Sequence, residues 1–361
     1  MAVVAASKVV NTHTTVPILS NVYLLAEDGR VRVRATDLEV TLEQTIKATV
    51  SEPGSVTVSA KLFAGYLGNL PAGELELSGS STRVSVRAAR SSYDFHALPA
   101  DEYPPLPSAI GNVHFRVPGR AFREAINSVI FAASSEEARG AVLMGTLFEV
   151  TGNSCTVVAT DGYRLAKRHL VLPEPVSEPL KIVVPSRALG EAARNLGQND
   201  QDIAVSLLGA KANQVAFTSA DTVLVVRLVD GTYPNYAQVI PQKFDRSVVV
   251  EVAPLVSSLK RAELVAGDRA SLVRVSISQQ QLTLTATSDT TGNAYEELAV
   301  EQSGDDLSIA FNARYFAEIL NHLDTPQAVL EFLGTLSPAA IRPLLTEGEA
   351  SQMYVLMPLR Q

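Results

Sequence analysis

Five histidines, one cysteine and three recurring aspartates are the residues of this chain best suited to chemistry. His13, His96, His114, His169 and His322 never fall at the i, i+4 spacing by which one helix face grips zinc. Cys155 precedes Thr156-Val157-Val158-Ala159, a strand-like apolar run in which a thiol is normally inert. Asp37, Asp161 and Asp289 stand in the segments ATDLEV, ATDGYRLA and ATSD. A carboxylate there could ligate a metal, but Asp-Gly after an apolar strand is turn chemistry. No GxSxG, Walker or dinucleotide-binding glycine pattern occurs. The expectation is a chain with no catalytic residues, no metal and no cofactor.

The aspartates lie 124 and 128 residues apart, and one third of the 361 residues is about 120. That spacing points to three similar units. A second marker agrees. Lys61, Arg187 and Arg314 each open a short apolar helical run, at spacings of 126 and 127. The Tyr-Pro pairs at 103–104 and 233–234 close two of the units and lie 130 apart. Prolines cluster around both, and proline interrupts sheet and helix alike. The expected domains are 1–110, 111–241 and 242–361.

Each unit must position these markers with two helices and several strands. Phe122, Ile126, Val129 and Ile130 share one helix face, and Leu255, Leu259 and Ala262 share another. Val31-Arg32-Val33-Arg34 alternates as a half-buried strand does, as do Val273, Val275 and Ile277. The expected fold class is α+β, with three similar domains, each packing two helices on antiparallel sheets.

The helix faces left over are basic. Arg120, Arg123 and Asn127 oppose the apolar stripe of their helix, and Lys61, Arg187, Arg194, Lys260, Arg261 and Arg314 lie on the others. Acidic residues gather in turns, and the net charge is −8. Such a chain could turn a positive face to phosphates despite its overall sign. Ordinary solvated helices would read the same way. A hydrophobic share of 46% supplies a core, and no apolar stretch is long enough to span a membrane. With a single cysteine and no signal-peptide pattern, the expected location is the cytoplasm.

Several segments resemble the bacterial DNA polymerase III beta subunit family, the sliding clamps. They are TVPILSN (15–21), ATDLEV, VLMGTLFEV (142–150), ATDGYRLA, VDGTYPNY (229–236), AFNARY (310–315) and YVLMPLR (354–360), in family order. The resemblance implies a head-to-tail homodimeric ring of six domains around duplex DNA, bound without sequence preference. It implies the clamp loader, the replicative polymerase and repair proteins as partners, docking through short peptides that carry Gln and Leu or Phe.

It also implies site residues. The peptide pocket would comprise Leu143, Thr160, Gly162, Tyr163, Arg164, Leu165, Pro234, Val239, Asn312, Tyr315, Leu336, Val355, Met357, Pro358, Leu359 and Arg360. The DNA-facing set would add His13 and Arg139 to the basic residues above. Ring closure would pair edge strands through Tyr93, Phe95, Leu264 and Val265, the last two following the first helix of the third unit. The chain departs from the family pattern in five places: a first strand and helix that look shortened, His13 for a common basic DNA-facing residue, Tyr163 for a common His, Gln238 for a common basic residue, and Gln361 for a frequent Leu at the end. A specialised paralogue or scaffold with altered partner binding is the alternative reading.

Overall fold

Alternation and helical spacing recur in the computed structural model, which describes residues 2–10, 15–105, 113–209, 211–267, 271–346 and 351–360. His13 lies outside them. The first repeat runs α1 (Ala2–Val9), β1 (Asn21–Glu27), β2 (Arg30–Thr36), β3 (Val40–Lys47) and β4 (Gly54–Ser59). It continues through α2 (Ala60–Gly68), β5 (Glu76–Gly79), β6 (Arg83–Ala88) and β7 (Ser91–Leu98). The second runs β8 (Val113–Val117), α3 (Gly119–Val129), β9 (Gly145–Thr151), β10 (Ser154–Thr160) and β11 (Arg164–Val171). Then come β12 (Leu180–Pro185), α4 (Ser186–Asn195), β13 (Ile203–Leu208), β14 (Gln214–Ser219) and β15 (Thr222–Arg227). The third has β16 (Arg246–Glu251), α5 (Val252–Ala266), β17 (Leu272–Ser278), β18 (Gln281–Ser288), β19 (Gly292–Ala299) and a short β20 (Glu301–Ser303). It ends with β21 (Leu307–Asn312), α6 (Ala313–Asn321), β22 (Gln327–Phe332), β23 (Ala339–Pro343) and β24 (Gln352–Leu356).

The chain forms two compact units. One holds residues 1–123, 172–177 and 187–228, and the other holds 124–171, 178–186 and 229–361. In the first, the sheet order is β5-β6-β7-β4-β1-β2-β3-β15-β14-β13-β8. The second holds two sheets, β12-β9-β10-β11-β24-β23-β22-β16-β20 and β19-β18-β17-β21. The strand pairs are antiparallel, as short connections allow.

A rule of pairing emerges. The strand after the Ala-Thr turn of one repeat joins the last strand of the next: β3 pairs β15 (Leu42↔Leu224), and β11 pairs β24 (Leu165↔Val355). The third such strand, β19, pairs β18 alone, and β7 meets β6 along its length but β4 only at Ala97 and Leu98. Both keep an open edge among the described residues.

Helix faces follow the apolar periodicity. Phe122, Ala125, Ile126 and Val129 of α3 are buried, as are Phe316, Ile319 and Leu320 of α6. Each of these side chains larger than alanine contributes roughly 1.5–3 kcal/mol by leaving water. Among the described residues β5 has one neighbour where β13 and β22 have two, and Leu77 is exposed where Val205 and Leu330 are buried.

Candidate functional site

The turn after β10 is built by its own side chains. The Thr160 hydroxyl donates to the Arg164 carbonyl at 2.6 Å and accepts the Gly162 N–H at 3.1 Å. One carboxylate oxygen of Asp161 accepts the N–H groups of Tyr163 and Arg164 at 2.9 and 3.0 Å. Gly162 has φ +87°, a left-handed conformation that glycine adopts without strain. After β2 the same bonds recur around Thr36 and Asp37. The third repeat corrects the expected alignment. Ser288, not Asp289, accepts the N–H groups of Thr290 and Thr291, so the true spacing is 127.

Arg164 is only 8% exposed and reaches in several directions. Its guanidinium donates to Asp161 at 3.2 Å, Glu318 at 2.6 Å and the Phe131 carbonyl at 2.8 Å. It also lies 4.4 Å from the Tyr315 ring centroid and 5.2 Å from that of Phe131. A buried cation needs such compensation. Tyr315 is fixed in turn, because the Asn312 side chain caps α6 through the Tyr315 N–H at 2.9 Å. Burial raises the Tyr315 phenol, and the Asp161 charge adds to the rise.

Beneath this rim Leu165 and Val355 are buried side by side, in one cluster with Leu147, Val158, Val183 and Tyr233. Val142, Val229, Tyr236 and Ile240 pack against it. The final residues are stitched on by Met357 N–H to the Tyr163 carbonyl and Leu359 N–H to the Ala310 carbonyl, 2.9 and 2.8 Å. Tyr163 and Val239 are exposed, while Leu143, Met357, Pro358 and Leu359 are half-buried. Pro234 and Arg360 are exposed, and Leu336 stands exposed on the turn after β22. The result is an apolar surface with an aromatic rim and few charges, suited to anchoring apolar side chains.

Arg139, expected among the DNA-facing residues, stands at this rim. It donates to Glu136, to the Asp161 carbonyl and to the Tyr163 hydroxyl, at 2.9, 3.0 and 2.9 Å. Its guanidinium carbon lies 4.3 Å from the Tyr163 ring centroid. The bonds to Tyr163 and Glu136 raise its pKa further, so it stays charged.

Family models for the N-terminal, central and C-terminal domains of the DNA polymerase III beta subunit match residues 1–107, 116–235 and 237–360. The beta sliding clamp of Streptomyces coelicolor is 34% identical over 364 residues, covering 99% of this chain and 96% of that protein. The chain belongs to the beta sliding clamp family. The Synechococcus elongatus beta sliding clamp is 30% identical, over 98% of this chain and 95% of that one. Among solved structures, a DnaN sliding clamp from Pseudomonas aeruginosa bound to griselimycin superposes with TM-score 0.92 at 28% identity, covering 100% and 96% of the two chains. The Thermotoga maritima DNA polymerase III beta subunit gives 0.90 at 28% identity, with the same coverage. Three clamp domains of α+β fold are thus present.

Within the clamp fold, the basic helix residues divide into two groups. Arg123 lies 3.6 Å from Asp200, Arg194 lies 2.5 Å from Glu191, and Arg261 is gripped by Glu296. Lys61, Arg187, Lys260 and Arg314 are exposed, with no ion pair among the described residues. Arg120 is exposed on α3. No helix among the described residues is long and apolar enough to cross a membrane. Cys155 is buried, and burial pushes its thiol up to about 12, which disfavours a nucleophilic thiolate at neutral pH.

The four residues expected at the ring junction differ in exposure. Tyr93 is 48% exposed on β7, but Phe95 is 4% exposed and packs on Phe63 and Tyr66. Leu264 and Val265 do not follow the helix, since α5 continues to Ala266. Leu264 projects from it, 79% exposed. Sequence reasoning also missed Glu318 and Phe131, which hold Arg164. Glu318 left a signal, as the acid interrupting the basic face of α6.

Proposed function

We propose that this clamp-family chain closes as a head-to-tail dimer around duplex DNA and tethers partner proteins through the apolar pocket. The carrying observation is the pairing rule: two of three equivalent strand junctions form within the chain, while β7 and β19 each keep an open edge. A second copy supplies the missing partner to each edge, and two such junctions close a ring. The proposed domains are 1–110, 111–241 and 242–361. Tyr93 and Leu264 supply exposed apolar surface at the junction, with Phe95 and Val265 supporting them.

Lys61, Arg120, Arg187, Lys260 and Arg314 face the phosphates, and Arg123, Arg194 and Arg261 join them while held by their carboxylates. That division suits sliding, because non-specific attraction spread over a few exposed cations does not fix the protein at one site. The pocket residues are those from Leu143 to Arg360 named above, with Arg139 added as rim. Polymerase, clamp loader and repair proteins are the proposed partners, the cytoplasm the location, and tethering without catalysis the activity.

Sedimentation equilibrium tests the closure. A closed dimer has a mass of about 77 kDa, twice 38.5 kDa, and Leu264→Asp should shift it toward monomer. A wild-type monomer at micromolar concentration contradicts ring closure. An intact dimer in the variant removes Leu264 from the interface.

A further inference from the structure

The pocket wall continues past Leu165 and Val355. One alternation further along the same strand faces stand Lys167 on β11 and Met353 on β24, and both line a hollow of about 490 Å³. Tyr236 and Ile240 join the two, since they pack against the Leu165 cluster and also line the hollow. The hollow therefore adjoins the apolar pocket.

Its charge differs from that of the pocket. Lys167, Lys243 and Arg342 line it against a single carboxylate, Glu331. Arg342 lies 3.0 Å from Glu331, which consumes one cation. Burial raises the Glu331 carboxyl, and Arg342 opposes the rise. Lys167 and Lys243 have no carboxylate within ion-pair distance among the described residues. The neighbouring Glu149 is already held by Lys181 and the Tyr236 hydroxyl, at 2.7 and 2.6 Å. Two cations are thus left at the end of an apolar trough.

We propose that the hollow receives an acidic side chain of the partner segment whose apolar anchor occupies the adjacent pocket. The proposal rests on the peptide-pocket reading above. Leu165 and Lys167 are separated by about 6.6 Å along the strand, so the acid falls roughly two residues from the anchor in an extended segment. Lysines bordering an apolar anchor would add charge selectivity to a pocket that otherwise selects only shape.

The test uses the full chain and three fluorescent peptides sharing one Gln-Leu-Phe anchor. They carry Asp residues before the anchor, Asp residues after it, or Asn at both flanks. One acidic peptide should bind roughly threefold to tenfold more tightly than the Asn peptide. The gain should vanish in the Lys167→Gln/Lys243→Gln double variant, with Asn-peptide affinity unchanged. Equal affinities for all three peptides, or a gain that survives the double variant, overturn the proposal. Absence of binding by every peptide overturns the underlying pocket reading and the proposal with it.

Discussion

Two turns of this chain, residues 36–40 and 160–164, hold their backbones with the same hydrogen bonds. In each, a threonine hydroxyl bridges the turn and an aspartate oxygen accepts two N–H groups. The side chains that follow differ. The first turn places Leu38 at φ +75° and ends on Val40, while the second places Gly162 at φ +87° and ends on Arg164. Only the second sends a cation into Asp161, Glu318 and Phe131, and stacks Arg139 on its tyrosine. The repeat conserves the frame, and the pocket is built on the part that is not repeated.

The largest contrast should appear at the last residue of each turn. Arg164→Ala leaves Asp161 and Glu318 without their partner and should cost about 3 kcal/mol. Val40→Ala should cost about 1 kcal/mol. Equal losses in chemical denaturation would erase the distinction between frame and site. Next are the threonines. Thr36→Val and Thr160→Val each remove a hydroxyl making two bonds and should lose roughly 1–2 kcal/mol apiece. Losses differing by more than about 1 kcal/mol would break the shared frame.

The third position should show opposite signs. Leu38→Gly relieves a left-handed residue whose side chain is largely in water, and should stabilise by up to about 1 kcal/mol. Gly162→Ala imposes that strain and should destabilise by about 1 kcal/mol. Thermal midpoints moving the same way would contradict this.

The smallest effect concerns Glu149, which ties Tyr236 to the middle sheet. Burial alone would raise its carboxyl, but bonds from Lys181 and Tyr236 hold it below its ordinary 4.5. A depressed folded value means stability present above the unfolded value and lost as pH falls through the folded one. Glu149→Gln should therefore cost roughly 0.5 kcal/mol at pH 7, a cost that fades as acid protonates the carboxylate below its ordinary value. A cost that does not change with pH would assign the effect to packing.

The threefold frame was legible because turns and apolar periodicity are local. Thr36, Thr160 and the helix openers Lys61, Arg187 and Arg314 betray it by spacing alone. Ser288 was passed over because the adjacent aspartate is the stronger turn former. A positive charge in sequence does not name its partner: Arg139 meets Tyr163, which lies 24 residues away. Arg123 and Arg261 carried the same ambiguity, resolved by Asp200 and Glu296. The end of α5 could have been read from Gly267, which sits at φ +65° past the last turn. Phe95 alternates correctly with Tyr93, but only packing on Phe63 distinguishes a core ring from an edge ring.

Retention on DNA after loading tests the central claim most directly. The protein is loaded onto nicked circular duplex, the complex is isolated by gel filtration, and the DNA is then cut once. Encirclement by a closed ring predicts co-elution before the cut and loss after it. Loss from the circle as readily as from the linear form would contradict the account.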